Sequence, residues 1–195
     1  NLGVIMAGFS RLNFRTQSKA LKSPNGDISN RIDNAQVKAT VEAVIADIRV
    51  RGDKAVREYS EKFDNHGADS YLLSKTEIEA AIARLPQQVI DDITFVQSQV
   101  RGFAEHQLAS LKDFEVETHP GVFLGQKNVP IESTGAYIPG GKYPLLASAH
   151  MTIVTAKVAG VKRVVACTPL IKGEMPDATI AAMYLAGADE IYLLG

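Results

Sequence analysis

A single cysteine, Cys167, and no tryptophan occur among the 195 residues. One thiol makes neither an internal disulfide nor a cysteine zinc cluster, which fits a reducing, cytoplasmic setting. No apolar run approaches the roughly 18 residues that a membrane span requires, so no membrane partner is expected. Neither sign of charge dominates: 21 Lys and Arg stand against 22 Asp and Glu. That balance speaks against a dedicated nucleic-acid binder. There is no internal repeat and no low-complexity tract. What remains is an ordinary globular composition, 46% hydrophobic and 22% charged, long enough for one or two domains.

The charge is unevenly placed. Residues 1 to 31 carry Arg11, Arg15, Lys19, Lys22 and Arg31 against Asp27 alone. An acid-poor start with Arg and Ser reads either as a transit peptide or as an arm that packs on a partner subunit; the lack of an amphipathic period favours the arm. Lys22–Asp27 is turn-rich and ends that arm, set at residues 1–32.

From Asp33 the period is helical. Val37, Val41, Val44, Ile45 and Ile48 share a face up to about Val50, and Gly52 suits a C-cap. Asp53 opens a second helix, Lys54 to Phe63. Ser74-Lys75-Thr76-Glu77 is a capping box for a third. Pro86 begins a fourth, with Val89, Ile93, Val96, Val100 and Phe103 as its apolar face. Asp91-Asp92 reads as complement to the helix dipole rather than as a catalytic dyad.

After Asp113 the period changes to alternation. Phe114–Thr118 and Val122–Gly125 read as strands about a turn at His119-Pro120-Gly121, and Asn128–Ile131 as a further extended piece. From 135 the order is strand, helix, strand, helix, strand, which implies a parallel sheet with right-handed crossovers. The fold class is therefore α/β, a helical N-terminal segment followed by an incomplete Rossmann-like parallel sheet. Its divisions are residues 1–32, an arm; 33–134, the helix-rich first part of one domain; and 135–195, the start of a second.

The segment Tyr137-Ile138-Pro139-Gly140-Gly141-Lys142 ends the first parallel strand, where open α/β sheets bind ligands. Two glycines allow close backbone approach, and a following helix offers free N–H groups to an anion. Tyr137 adds an aromatic face and a hydroxyl, and Lys142 a mobile charge. The same residues also read as an ordinary strand-to-helix turn with a lysine in solvent. His150, in the small-residue helix that follows, faces either the core or the cleft, and a satisfied core histidine is the commoner outcome. Cys167 reads as buried. No histidine spacing marks a metal site within the chain.

Three separated motifs, Arg51–Asp64, Gly135–Gly141 and Val158–Val164, occur in one order. On them the chain resembles the histidinol dehydrogenase family from about residue 33 to the end. The resemblance implies a zinc-dependent, NAD-linked dehydrogenase, a homodimer that oxidises a primary alcohol through an aldehyde to a carboxylate. It implies that Tyr137 contacts NAD; Gly140 and Gly141, read above as a close backbone approach, are the other expected cofactor contacts. The family's zinc ligands and its Glu-His acid/base pair fall beyond residue 195, so the chain by itself is expected to be inactive. Lys142–His150 departs from the histidinol pattern and is more similar to the sister group that oxidises 2,3-dihydroxypropane-1-sulfonate. Lys142 and His150 are then the expected substrate contacts, since a lysine suits a sulfonate better than cationic histidinol. The competing expectation is a non-catalytic nucleotide-binding or dimerisation module. Finally, a sheet ending at Ile191–Leu194 is expected to leave an unpaired apolar edge prone to association.

Overall fold

The computed structural model describes residues 28–140 and 144–195. Most of the expected arm, with Gly141 and Lys142, lies outside the described residues. The chain divides at Gly52 into two units. In the first, α1 spans Ile28–Arg51. It begins inside the segment assigned to the arm, directly after the turn-rich stretch. Gly52 closes it with φ +58 and an N–H bonded to Ile48 O. Val37, Val41 and Ile45, the expected buried face, are exposed. Their periodicity is correct for a helix, but periodicity does not say what covers the face.

The second unit opens with α2 (Asp53–Asp64) and α3 (Lys75–Ala83). At α3 the capping box forms as the sequence predicts. Ser74 Oγ accepts from Glu77 N–H at 3.3 Å, and Glu77 Oε2 accepts from Ser74 N–H at 2.7 Å. The Ser74 hydroxyl, which donates to Glu77 Oε2 at 2.7 Å, and then the Ser74 amide hold the Glu77 carboxyl below its usual range. The long helix α4 (Gln87–Ser110) follows Pro86. Its buried residues are Ile93, Gln97 and Ala104, while Phe103 is 68% exposed. A polar Gln97 therefore takes a core position that the apolar pattern assigned to its neighbours. Asp91 and Asp92 each accept from a glutamine one turn earlier, which leaves them an exposed helix pair and no dyad.

Strands β1 (Phe114–His119) and β2 (Val122–Gln126) form an antiparallel hairpin with a bulge between Glu117 and His119. Gly121 turns at φ +81 and donates to Glu117 Oε1. Residues 128–131 carry no strand pairing.

The parallel sheet consists of β3 (Ser133–Tyr137), β4 (Arg163–Thr168) and β5 (Glu190–Leu193), in that spatial order. Between β3 and β4 the chain forms α5 (Leu146–Ala149), a π-helical turn at His150–Val154, and α6 (Thr155–Val158). Between β4 and β5 lies α7 (Asp177–Ala186), closed by Gly187 at φ +101. Ala136, Ile138, Val164, Ala166, Ile191 and Leu193 point to one face of the sheet and pack with Ile153, Val154, Ile180 and Met183 of the helices. This face is the core. Asp189 ties the start of the sheet together. It accepts from Val164 N–H and from Lys157 Nζ, both at 2.6 Å, and the lysine bond first and the amide second hold its carboxyl low.

The expected bare edge at β5 is corrected by the structure. Leu73 N–H donates to Ile191 O at 2.9 Å and Leu193 N–H to Tyr71 O at 2.8 Å. Residues 71–73, which precede α3, thus run antiparallel along β5 and satisfy its outer groups. A stretch too short to read as a strand from sequence protects the edge, one of the usual devices against edge-to-edge pairing.

Candidate functional site

Strand alternation divides the sheet's side chains between two faces. With Ala136 and Ile138 in the core, Tyr137 must project the other way, alongside Cys167 and Tyr192, its register partners on β4 and β5. Tyr137 is 53% exposed. Its hydroxyl has no hydrogen-bond partner among the described residues. Burial of the ring's base, then Cys167 and Asp64, raise its phenol above the ordinary value of 10.0, so the hydroxyl keeps its proton at neutral pH. Cys167 is half-buried, and burial pushes its thiol up. A thiol kept protonated is a poor nucleophile.

Beyond Tyr137 the ladder continues for one bond, Ile138 N–H to Cys167 O at 2.8 Å, and the chain then leaves the sheet through Pro139-Gly140. A Cβ on Gly140 would lie 2.8 Å from Pro169 Cγ and 3.3 Å from Ile171 Cγ1. The missing side chain thus lets the strand's exit pack on the loop after β4, while Tyr137 remains open to solvent.

His150 lies within the core. It is 5% exposed and lies on the core side, where its Nδ1 is 3.1 Å from Gln97 Nε2. Gln97 Nε2 also donates to Ala182 O at 2.9 Å. With one amide proton on the carbonyl, the other points at Nδ1, which must then accept; the ring proton belongs on Nε2. Burial lowers the ring's proton affinity below its ordinary value. Through Gln97 this buried histidine joins α4, α7 and the π-helical turn.

One carboxylate escaped the sequence reading. Asp64, the last residue of α2, lies against Gly195, with Oδ2 2.5 Å from where a Cβ would stand. It is half-buried at the carboxyl end of the sheet. The only sequence signal was its place at the end of the Arg51–Asp64 motif, which says nothing of its distance from β5. No group of three or more His, Cys, Asp or Glu is placed to hold a metal among the described residues.

The profile of the histidinol dehydrogenase family matches residues 28–195. The chain belongs to the histidinol dehydrogenase family. A histidinol dehydrogenase homolog from Shouchella clausii is 54% identical over 175 residues, which cover 90% of this chain and 41% of the relative. The sulfopropanediol 3-dehydrogenase of Ruegeria pomeroyi is 44% identical over 169 residues, or 86% of this chain and 39% of that protein. Among solved structures, histidinol dehydrogenase from Elizabethkingia anophelis superposes with a TM-score of 0.75 at 33% identity, over 82% of this chain and 36% of that one. The α/β arrangement described above is thus the histidinol dehydrogenase fold. The chain spans about 40% of the length of the relatives it matches.

Proposed function

We propose that the chain is the cofactor-binding part of a cytoplasmic, homodimeric, NAD-linked dehydrogenase that oxidises a primary alcohol through an aldehyde to a carboxylate. The observation that carries this reading is Tyr137, an open aromatic face with a free, protonated hydroxyl at the carboxyl end of a parallel sheet. Such a group fits a nucleoside: the base lies on the ring and the hydroxyl bonds a polar edge. NAD, when bound, takes a hydride from the substrate carbon, and two rounds are needed from alcohol to acid. Within these residues Tyr137 binds and orients. Gly140 lets the end of the strand pack against Pro169.

Zinc has no place among the described residues, so none of the chemistry here is routed through it. In this reading its ligands and the proton-transferring groups lie beyond residue 195. Lys142 supports a sulfonate-bearing alcohol of the 2,3-dihydroxypropane-1-sulfonate type over L-histidinol, because a lysine attracts the sulfonate and repels a cation. The apolar side chains of the hairpin, Phe114, Val116 and Leu124, are exposed, and an isolated two-stranded hairpin is marginal in water. Burial against a second subunit suits them.

Reduction of NAD by the full-length protein, with zinc present, is the test. The sulfonate alcohol is expected to give a kcat/KM at least about tenfold above that of L-histidinol, the scale of one charge complemented against one opposed. The reverse order sinks the substrate assignment. The 195-residue chain alone is expected to bind NAD and turn over neither alcohol; turnover by it would overturn the placing of the chemistry beyond these residues.

A further inference from the structure

Asp64 is a half-buried carboxylate without a hydrogen-bond or ion-pair partner among the described residues. Its oxygens remain open to solvent, so donors from a ligand can take the place of water there. Its position is specific. Gly195 comes just after β5, and the Asp64 oxygens lie 2.5 and 3.0 Å from its Cβ position. The carboxylate therefore stands off the carboxyl end of β5, as Tyr137 stands at the carboxyl end of β3. Tyr137, Cys167 and Tyr192 are in register across the three strands, so β3 and β5 lie two strand spacings, about 10 Å, apart across the sheet, and Gly195 is three residues further along than Tyr192. A nucleotide spans such a separation. Asp64 also acts on the Tyr137 phenol, behind burial and Cys167, which puts it in electrostatic reach of the ring.

We propose that Asp64 binds the vicinal hydroxyls of the dinucleotide's ribose and thereby selects NAD over its 2′-phosphorylated form. The inference rests on the reading of Tyr137 as a cofactor contact. A ribose diol presents two O–H donors, and a carboxylate accepts both in charge-assisted bonds. A 2′-phosphate at the same place sets two anions against each other and removes one donor. In doubly wound folds the acid with this task follows the glycine loop in sequence. Here it comes from a helix that precedes the loop, and the fold brings it to the same end of the sheet.

Dissociation constants for NAD and NADP, measured by calorimetry on the full-length protein, test the assignment. The protein is expected to prefer NAD. Asp64→Asn is expected to weaken NAD by about tenfold, the cost of losing a charged acceptor, and to tighten NADP, so that the ratio of the two constants moves by about 30-fold or more. Asp64→Glu, which keeps the charge, should keep the preference and guards against a folding artefact in the first variant. Equal binding of both dinucleotides by the unaltered protein overturns the assignment. So does a ratio unmoved by Asp64→Asn when Tyr137→Ala still weakens NAD. NAD binding unaffected by Tyr137→Ala overturns the cofactor reading itself, and this inference with it.

Discussion

Tyr137→Ala is expected to lower the affinity for NAD by about 10- to 100-fold, with the melting temperature almost unmoved. A base stacked on an aromatic ring contributes about 1–3 kcal/mol, and about 1.4 kcal/mol is a factor of ten in binding. The side chain is more than half exposed and its hydroxyl has no hydrogen-bond partner among the described residues, so truncation removes little that holds the fold. Tyr137→Phe separates the two contributions. It keeps the ring and loses one hydrogen bond, with an expected loss of about fivefold. Because burial, Cys167 and Asp64 keep the phenol protonated, the hydroxyl should act as a donor across the neutral range, and NAD affinity should be flat there with respect to this group. Calorimetric titration at neutral pH reads all three quantities. An affinity unchanged by the alanine variant would leave the cofactor without its contact in this chain.

The largest loss of stability is expected at Gln97. Gln97→Leu removes the donor to His150 Nδ1 and the donor to Ala182 O at one stroke. Ala182 O keeps its helix bond, but the buried His150 Nδ1 is left empty, which costs about 1–3 kcal/mol, so the variant should unfold in urea with about that much less stability. A loss below about 1 kcal/mol would show that His150 finds another donor. Replacing both, as Gln97→Leu with His150→Leu, should recover part of the loss, since two apolar groups leave the ring's site with nothing to satisfy.

The same histidine sets a pH dependence with a definite sign. Burial holds its folded pKa below the ordinary 6.5. As pH falls through about 6.5 the unfolded chain takes up this proton first, so the folded state loses relative stability. The contribution is complete above that pH and drains on acidification until the folded ring itself protonates. The double variant should be flat over this window. Glu77 and Asp189, both held low by their hydrogen bonds, act in a separate and more acid window, below their ordinary values of 4.5 and 3.8.

Where a signal is local, the sequence carried it. The Ser74–Glu77 capping box, the glycine stop at Gly52 and the strand-helix order after residue 135 appear in the structure with boundaries shifted by a residue or two. Tyr137 was legible as a site residue because a strand, a double glycine and a helix are contiguous. The error at Phe103 and Gln97 has a plain cause: apolar period ranks a glutamine as exposed and is blind to the two acceptors waiting for it across the core.

By itself, then, the sequence determined the elements, their order, the family and the one aromatic group at the strand end, all of which depend on neighbours within a turn or a pleat. Tertiary structure alone decided that His150 faces Gln97, that residues 71–73 cover the edge of β5, that Pro169 fills the space over Gly140, and that Asp64 arrives at the carboxyl end of the sheet. Each of these joins residues far apart in the chain. Such contacts follow from how the helices pack on the sheet, which no local period encodes.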